Sequence, residues 1–415
     1  MADATTAGDA GDLDLILRTA AFLFDHGQST TMTLVAVRRL NKGLAQNATL
    51  TPTWTSLTLL DEHGDHPKVA AVHPIALHMR RVSAVMSAVD EALDGPLERN
   101  RIRSAVDDAQ HLPASSTAVF TAACAVAAAA LAVIFGASDP RLVGLIAAAA
   151  GAGGVIRRLI GRYRGGPLLQ VFAAAVIGGG AGAIALHTHL GANCALAPVC
   201  VAMVLVPGPH ILIGAMDLLS LRVSLGLARI AYATLLLTAI AAGLGLGLRL
   251  GGQTLPLSSA TTEVPLLADL LAAGAAAACF PVFFNSPYRI IGWPVAVGMA
   301  VHALHWWAIA KWHAGLPVAA LLSCLAAAAI LGPISHRYRI PFTAIGFAAV
   351  VSMVPGMYVF RAVTGFVDVV NNPSPAILAT TASDGSVAVL VVVCMAIGLA
   401  VPTQIRDNII EARLG

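Results

Sequence analysis

From Ser115 onward the chain is a series of apolar runs, and few folds accept that pattern. Ten runs stand out, at 116–137, 141–156, 167–187, 192–206, 226–248, 264–284, 289–307, 314–332, 340–354 and 384–404. Backbone that crosses lipid finds no water there, so its N–H and C=O groups must be satisfied internally, as in a helix. A helical span takes about 20 residues, within a range of roughly 17–25. The second, fourth and ninth runs are short by that measure. The fourth and ninth, however, continue past a Pro-Gly break into Ile211–Leu221 and Met357–Val370. Composition agrees: 11% of residues are charged and 57% are hydrophobic, against roughly 25% charged in a soluble domain. The deficit is explained if lipid covers much of the surface. The expected fold is an all-α polytopic membrane protein of ten transmembrane helices, in contact with the lipid bilayer.

Residues 1–112 differ from the rest. They carry most of the acidic residues and six of the thirteen histidines. Helical patterning is visible over Leu13–Gly27, Thr31–Ala45, Ile75–Leu93 and Leu97–Gln110. Thr51–Asp61 alternates, Lys68–His73 is a second short apolar run, and the turn residues His63-Gly64-Asp65-His66-Pro67 join them. The expectation is a small α+β cytoplasmic domain over 1–112, then five-helix membrane repeats over 113–250 and 260–406. Asp3, Asp9, Asp12 and Asp14 precede the first basic residue, Arg18, the reverse of a secretory leader. The N-terminus is therefore expected in the cytoplasm. On that topology the inside loops hold Arg157, Arg158, Arg162, Arg164, Arg222, Arg229, Arg289, Arg337, Arg339, Arg406 and Arg413. The outside loops hold only Arg141, Arg249, Lys311 and Arg361. This bias predicts both termini on the cytoplasmic side of the membrane. A net charge of +3, with basic residues scattered, gives no nucleic-acid footprint. The six cysteines fall in apolar segments without a CxxC pair and read as packing residues, so neither a disulfide framework nor a metal site is expected.

The strongest signal is an internal repeat at an offset of 148. Phe135, Ser138, Arg141 and Gly144 match Phe283, Ser286, Arg289 and Gly292, and Val206-Pro207-Gly208 matches Val354-Pro355-Gly356. Each copy contains five spans, and an odd number forces the second to sit upside down relative to the first. That is the inverted-repeat plan of many secondary transporters, in which two similar halves expose a central site to either side in turn.

The Val-Pro-Gly pair is the first place to seek a site. Proline lacks an N–H and clashes with the preceding turn, and glycine accepts non-helical angles, so the two together break a helix. Broken backbone within a membrane survives only where protein buries it or water reaches it. The helix N-termini and freed carbonyls then suit a zwitterion. The bland alternative is that each Pro-Gly ends a helix at the interface. Asp217 and Arg361 follow the two breaks inside apolar segments, where ionisable residues are costly. Asp217 is the candidate proton or ammonium carrier and Arg361 a carboxylate partner; the alternative leaves both at the interface. Asn193 and Ser352, on the same broken spans, are candidates for a substrate hydroxyl, and Tyr358 lies between the second break and Arg361. Asp269 reads as interfacial. His302 and His305, one turn apart before Trp306 and Trp307, read as a polar helix end in an aromatic belt, with a proton relay as the sharper alternative. Asp25-His26-Gly27-Gln28-Ser29 contains the letters of a catalytic triad, but the favoured reading is a helix cap at Gly27 and an N-cap at Ser29 or Thr30. No Walker or dinucleotide sequence is present, so no cofactor is expected.

Several stretches resemble the threonine/serine exporter family. Phe22–Ser29 through Arg38-Arg39-Leu40 is similar to the start of its N-terminal domain, and Val82–Ala92 with Arg103–Ala109 to the helices before its first span. Leu205-Val-Pro-Gly-Pro209, Asp217 and Gly226-Leu-Ala-Arg229 resemble the end of its first half. Arg337-Tyr-Arg-Ile-Pro341 through Met353-Val-Pro-Gly-Met-Tyr-Val-Phe-Arg361 resembles its second half and is the most specific piece. The resemblance implies export of small hydroxy amino acids driven by protons, by a transporter and not an enzyme. On this expectation Pro207, Gly208, Pro355 and Gly356 cradle the amino acid, with Asn193, Ser352, Tyr358 and Arg361 beside them and Asp217 coupling protons. Two readings stand beside it: a carrier for another organic anion or dicarboxylate, and a hydrolase tethered through the N-terminal domain. A homo-oligomer is compatible with all three.

Overall fold

The structure, a computed structural model, describes residues 2–61, 67–191, 193–254, 264–371 and 373–414. The turn expected at His63–His66 lies outside the described residues, as do the side chains of Arg406 and Arg413. The N-terminal segment contains α1 (Ala2–Asp25), α2 (Thr30–Leu44), β1 (Thr49–Pro52), β2 (Ser56–Leu60), β3 (Lys68–Ala71), α3 (Met79–Val89) and α4 (Arg99–Gln110). Gly27 takes a left-handed φ of 91°, and the Ser29 hydroxyl accepts from Met32 N at 3.4 Å, so α1 and α2 are separated by the cap that the sequence suggests. The alternating stretch Thr51–Asp61 is not one strand. It folds back at Thr53, whose hydroxyl accepts from Ser56 N, and β1, β2 and β3 form an antiparallel meander. Leu50, opposite Leu59, and Leu57 are buried on one face, the period-2 pattern of a half-buried sheet. Helix α3 begins four residues later than the pattern at Ile75 implies. The intervening backbone is drawn off instead: Leu77 O accepts from Asn285 Nδ2 and His78 N donates to His26 O.

Seven unbroken helices are long and apolar enough to cross a membrane: α5 (Thr117–Ile134), α6 (Pro140–Arg162), α7 (Pro167–His187), α10 (Val223–Leu250), α11 (Leu266–Phe283), α13 (Leu316–Arg337) and α16 (Pro375–Leu414). Two bent pairs raise the number to nine among the described residues. These are α8 (Leu196–Met203) with α9 (Gly208–Leu219), bent by 63°, and α14 (Phe342–Val350) with α15 (Gly356–Asn371), bent by 59°. The remaining expected span, α12 (Gly292–Ala310), has 19 residues. Its two histidines and three tryptophans dilute its apolar character, which is why it falls outside the count. The last helix starts at Pro375, well before the expected 384.

Packing in the two sets of helices corresponds. Helix α7 packs on α10 as α13 packs on α16, α6 on α8 as α12 on α14, and α9 on α10 as α15 on α16; between the sets, α9 meets α16 as α15 meets α10. The first residues of α9 and α15, Gly208 and Gly356, stand at the offset of 148. Small residues let membrane helices approach closely, and the α7–α10 seam needs it. A Cβ on Gly247 would lie 2.2 Å from Val176 O, and one on Gly179 would lie 2.3 Å from Leu244 O.

The N-terminal segment is seated on one end of the bundle. Met79 N donates to Phe284 O at 2.8 Å and Arg80 N to Asn285 O at 2.9 Å, just past the end of α11. One apolar cluster runs continuously from Leu15, Leu23 and Val85 of this segment, through Leu212 and Ile213 on α9, to Phe347 and Leu399.

Candidate functional site

The two breaks are built alike. Proline supplies no N–H, so the chain closes a tight turn through the glycine: Gly208 N donates to Val206 O at 2.8 Å, and Gly356 N to Val354 O at 2.7 Å. The new helix then starts at once, with Ile211 N on Pro207 O and Val359 N on Pro355 O. The breaks face one another. A Cβ on Gly208 would lie 3.4 Å from Val351, and one on Gly356 would lie 3.0 Å from Met203. Between them is a void of about 10 Å³ lined by Val206, Gly208, Val354 and Gly356 together with Leu131, Met203, Phe280 and Val351. Its walls are apolar, and it is closed to anything the size of an amino acid.

Beyond the second break the molecule opens. A cavity of about 770 Å³ is lined by Ser352, Pro355 and Tyr358 of the break region and by Asp269, His302 and His305 of α11 and α12. Asp269 is 14 residues from Phe283, about 21 Å along a helix, so the cavity lies at the end of α11 away from the N-terminal segment. Asp269 and His302 are each 4% exposed. His302 Nε2 and Asp269 Oδ1 are 3.2 Å apart, and the His302 and His305 rings stack with centroids 5.9 Å apart. Asp269 Oδ2 and His302 Nδ1 are buried and have no partner among the described residues. On the far side of Tyr358, Arg361 Nε lies 3.0 Å from Asp384 Oδ2, an ion pair between α15 and α16.

Beyond the first break the molecule is covered. His210 Nε2 lies 3.2 Å from Ile75 O. Asp217, at 2% exposure, accepts from Arg229 Nε at 3.1 Å and from Thr30 Oγ1 at 3.0 Å on one oxygen, and meets Arg222 Nη1 at 3.4 Å on the other. Arg222 also donates to Thr31 Oγ1. The Arg229 guanidinium lies over the Phe24 and Trp54 rings, at 5.0 and 5.5 Å. Helix α9 is thus held along its length by the N-terminal segment. That segment contributes its own buried titratable groups. Burial pushes the His78 imidazole down to about 4, with Arg81 and His26 adding to the shift. Burial pushes the Asp90 carboxyl up, against the pull of its partner Arg39.

Of the residues singled out from the sequence, Ser352, Pro355 and Tyr358 line the cavity, and Gly208 and Gly356 face each other across the void, with Pro207 capping α9. Arg361 stands behind Tyr358 and is paired. Asn193 donates to Gly136 O at 3.1 Å and lines neither space. Asp217 lies among the bases at the covered end. Asp269 and His302 are buried and face each other, a contact that their sequence positions do not announce. The signal for that pair is present in the sequence: Asp269 opens one apolar span and His302 lies in the later part of the next, and consecutive spans run antiparallel. Sequence reasoning did not pair Asp217 with Arg229, which it read as an inside-loop base, and did not single out Asp384, the first charge of the last apolar helix. Asp25, His26 and Ser29 do not form a triad. Asp25 accepts from His73 N, His26 bonds Phe22 O and Arg81, and Ser29 caps α2. The six cysteines are free of disulfides.

Helices of this length and apolarity, two of them broken and one of those breaks beside a polar-walled cavity, define a multi-pass membrane protein. The chain belongs to the threonine/serine exporter family. One model of that family matches residues 14–251, and a second, described as "Threonine/Serine exporter, ThrE", matches residues 269–405. The family is one of transporters. No curated protein and no solved structure matches the chain.

Proposed function

We propose that the chain is a secondary active transporter that exports threonine, serine or similarly small hydroxy amino acids across the bacterial inner membrane in exchange for protons. Its ten spans form two inverted five-helix repeats, over 113–250 and 260–406, and residues 1–112 are a cytoplasmic domain. The observation that carries this reading is the pair of matched breaks. They share one local turn, bend their helices by 63° and 59°, and face each other across one void, as the two halves of an alternating-access site would. The basic-residue bias supports both termini on the covered side, so the cavity faces outward and the N-terminal domain closes the inner mouth. Pro207, Gly208, Ser352, Pro355, Gly356 and Tyr358 form the amino-acid path, which widens at the void when the halves exchange conformations. Arg361 draws the carboxylate once it exchanges Asp384 for substrate. Asp217 carries a proton only after the junction opens, because Arg229, Arg222 and Thr30 occupy both its oxygens in this state.

Cells loaded with a threonine- or serine-containing dipeptide test the reading. Expression of the chain is expected to speed efflux of the released amino acid, and Asp217→Asn to slow it. Efflux indifferent both to expression and to this substitution would defeat the proposal. Counterflow against a panel of organic acids separates it from the anion-carrier reading.

A further inference from the structure

We infer that Asp269 and His302 form a proton-binding pair in the wall of the outward cavity, where the incoming proton is held before the junction opens and Asp217 becomes accessible. The inference rests on the exporter reading above but concerns a different place from the Pro-Gly breaks and Asp217. Its first support is geometric. A buried carboxylate needs compensation, and Asp217 receives it from two permanently charged guanidinium groups. Asp269 has no guanidinium partner among the described residues but one imidazole, His302, and imidazole is the side chain whose charge changes near neutral pH. One carboxylate oxygen and one ring nitrogen of the pair have no partner among the described residues, so the pair has acceptors to spare for a proton and no fixed cation to repel it at contact distance.

Its second support is the repeat. At the offset of 148, Asp269, His302 and His305 correspond to Thr121, Gly154 and Arg157. The fold brings the first-half positions together as well, since a Cβ on Gly154 would lie 3.4 Å from Thr121 Cα. The duplication therefore copies the juxtaposition, while the paired carboxylate and imidazole are present in one half only, the half that lines the cavity.

The other charged or titratable groups facing the pair are few. From α12 there is His305, stacked on His302; from the segment after α12 there are Lys311 and His313 in the cavity wall; and from α15 there is Tyr358, with the Arg361–Asp384 pair behind it. The cavity residues contributed by α5 and by the turn after α14 are Ile134, Phe135, Ser352, Met353 and Val354, none of them charged. The step is a transfer of one proton from bulk water on the cavity side to the pair. No bond of the amino acid changes, and the net charge of the pair goes from −1 to 0. The unloaded pair attracts the ammonium end of a zwitterion in the cavity and the loaded pair does not. Proton entry thus favours release of the amino acid outward, which is antiport.

Trp306 reports on this directly, because it lines the same cavity. The purified full chain in detergent is titrated by tryptophan fluorescence, with Trp306→Phe isolating that residue's signal. A one-proton step is expected in the wild type and is lost in both Asp269→Asn and His302→Gln; size-exclusion profiles confirm that the variants are folded. In proteoliposomes, Asp269→Asn is expected to lose threonine uptake driven by a pH gradient, and the threonine counterflow it retains at equal pH is expected to be independent of pH. A fluorescence step that survives in both variants, or gradient-driven uptake that survives in Asp269→Asn, overturns the inference. A step that disappears as expected in a protein carrying neither threonine nor serine would defeat the substrate reading and leave the proton site standing.

Discussion

Helices α9 and α15 start with the same proline-glycine turn at equivalent places in two similarly packed sets of helices, yet one is covered and the other faces a cavity. Each is tied to the following helix by an Asp–Arg pair, with the polarity exchanged. Asp217 on α9 meets Arg229 on α10, whereas Arg361 on α15 meets Asp384 on α16. The pairs are not copies of each other. The residues that match Asp217 and Arg229 in the second half are Gly365 and Ile377, and those that match Arg361 and Asp384 in the first are Ile213 and Leu236. The two breaks share one backbone turn, whereas the charges that follow them stand at unmatched positions. The covered pair is also the drier one: the Asp217 and Arg229 side chains are 2% and 1% exposed, against 9% and 23% for Asp384 and Arg361. The difference comes from the N-terminal segment, which lays Phe24 and Trp54 over the Arg229 guanidinium.

If burial separates the two pairs, breaking them should have unequal costs. Arg229→Met removes the fully buried one of the two guanidinium partners of Asp217, where breaking a buried pair costs about 3–5 kcal/mol, and is expected to give the largest drop in thermal midpoint in detergent. Arg361→Met should give a distinctly smaller drop, and equal drops would erase the contrast. Thr30→Val keeps the shape of the side chain and removes its hydrogen bond to Asp217. Bonds to charged groups contribute about 1.5–3 kcal/mol, so limited proteolysis should show the N-terminal segment loosened from α9. Gly247→Ala forces a methyl against Val176 O at the α7–α10 seam, an overpacking cost of about 1–3 kcal/mol. The matching position at the α13–α16 seam is Met395, fully buried, so that seam already holds a long side chain; the melting shift in Gly247→Ala measures how far the two seams differ.

The smallest effect concerns the cover itself and depends on pH. His78 is neutral when folded down to about pH 4, whereas the unfolded chain takes up its proton near 6.5. Between those values the unfolded state binds more protons, so stability falls as pH is lowered through that window and is flat outside it. His78→Gln should flatten the fall, read as the pH dependence of proteolysis within residues 67–112. An unchanged slope would place the sensitivity elsewhere.

Much of the backbone is legible in the sequence. Lipid forces hydrogen bonds to close within each span, so apolar runs locate helices. Proline and glycine act locally, so Val206–Gly208 and Val354–Gly356 mark both breaks. The Ser29 cap is legible for the same reason. Less is legible where an outcome depends on direction. Thr51–Asp61 reads as a single run because alternation gives the face of a strand and not its end, and the fold-back at Thr53 leaves the pattern intact. Asp269 and His302 read as helix-end residues because α11 and α12 are apolar nearly all round, and a helix without a polar face does not announce which way it turns.

The sequence by itself determined which segments are apolar enough to cross a membrane, where two of them break, that the Val-Pro-Gly motif recurs at an offset of 148, and the family. These follow from local chemistry: the cost of bare backbone in lipid and the missing N–H of proline. Only the tertiary structure decided which charges meet. Asp217 finds Thr30 from 187 residues away, and Asp269 finds His302 from 33. Such pairings are fixed by the azimuth of each helix, which in this chain is set by glycine and alanine packing between neighbours and not by a pattern within any one of them.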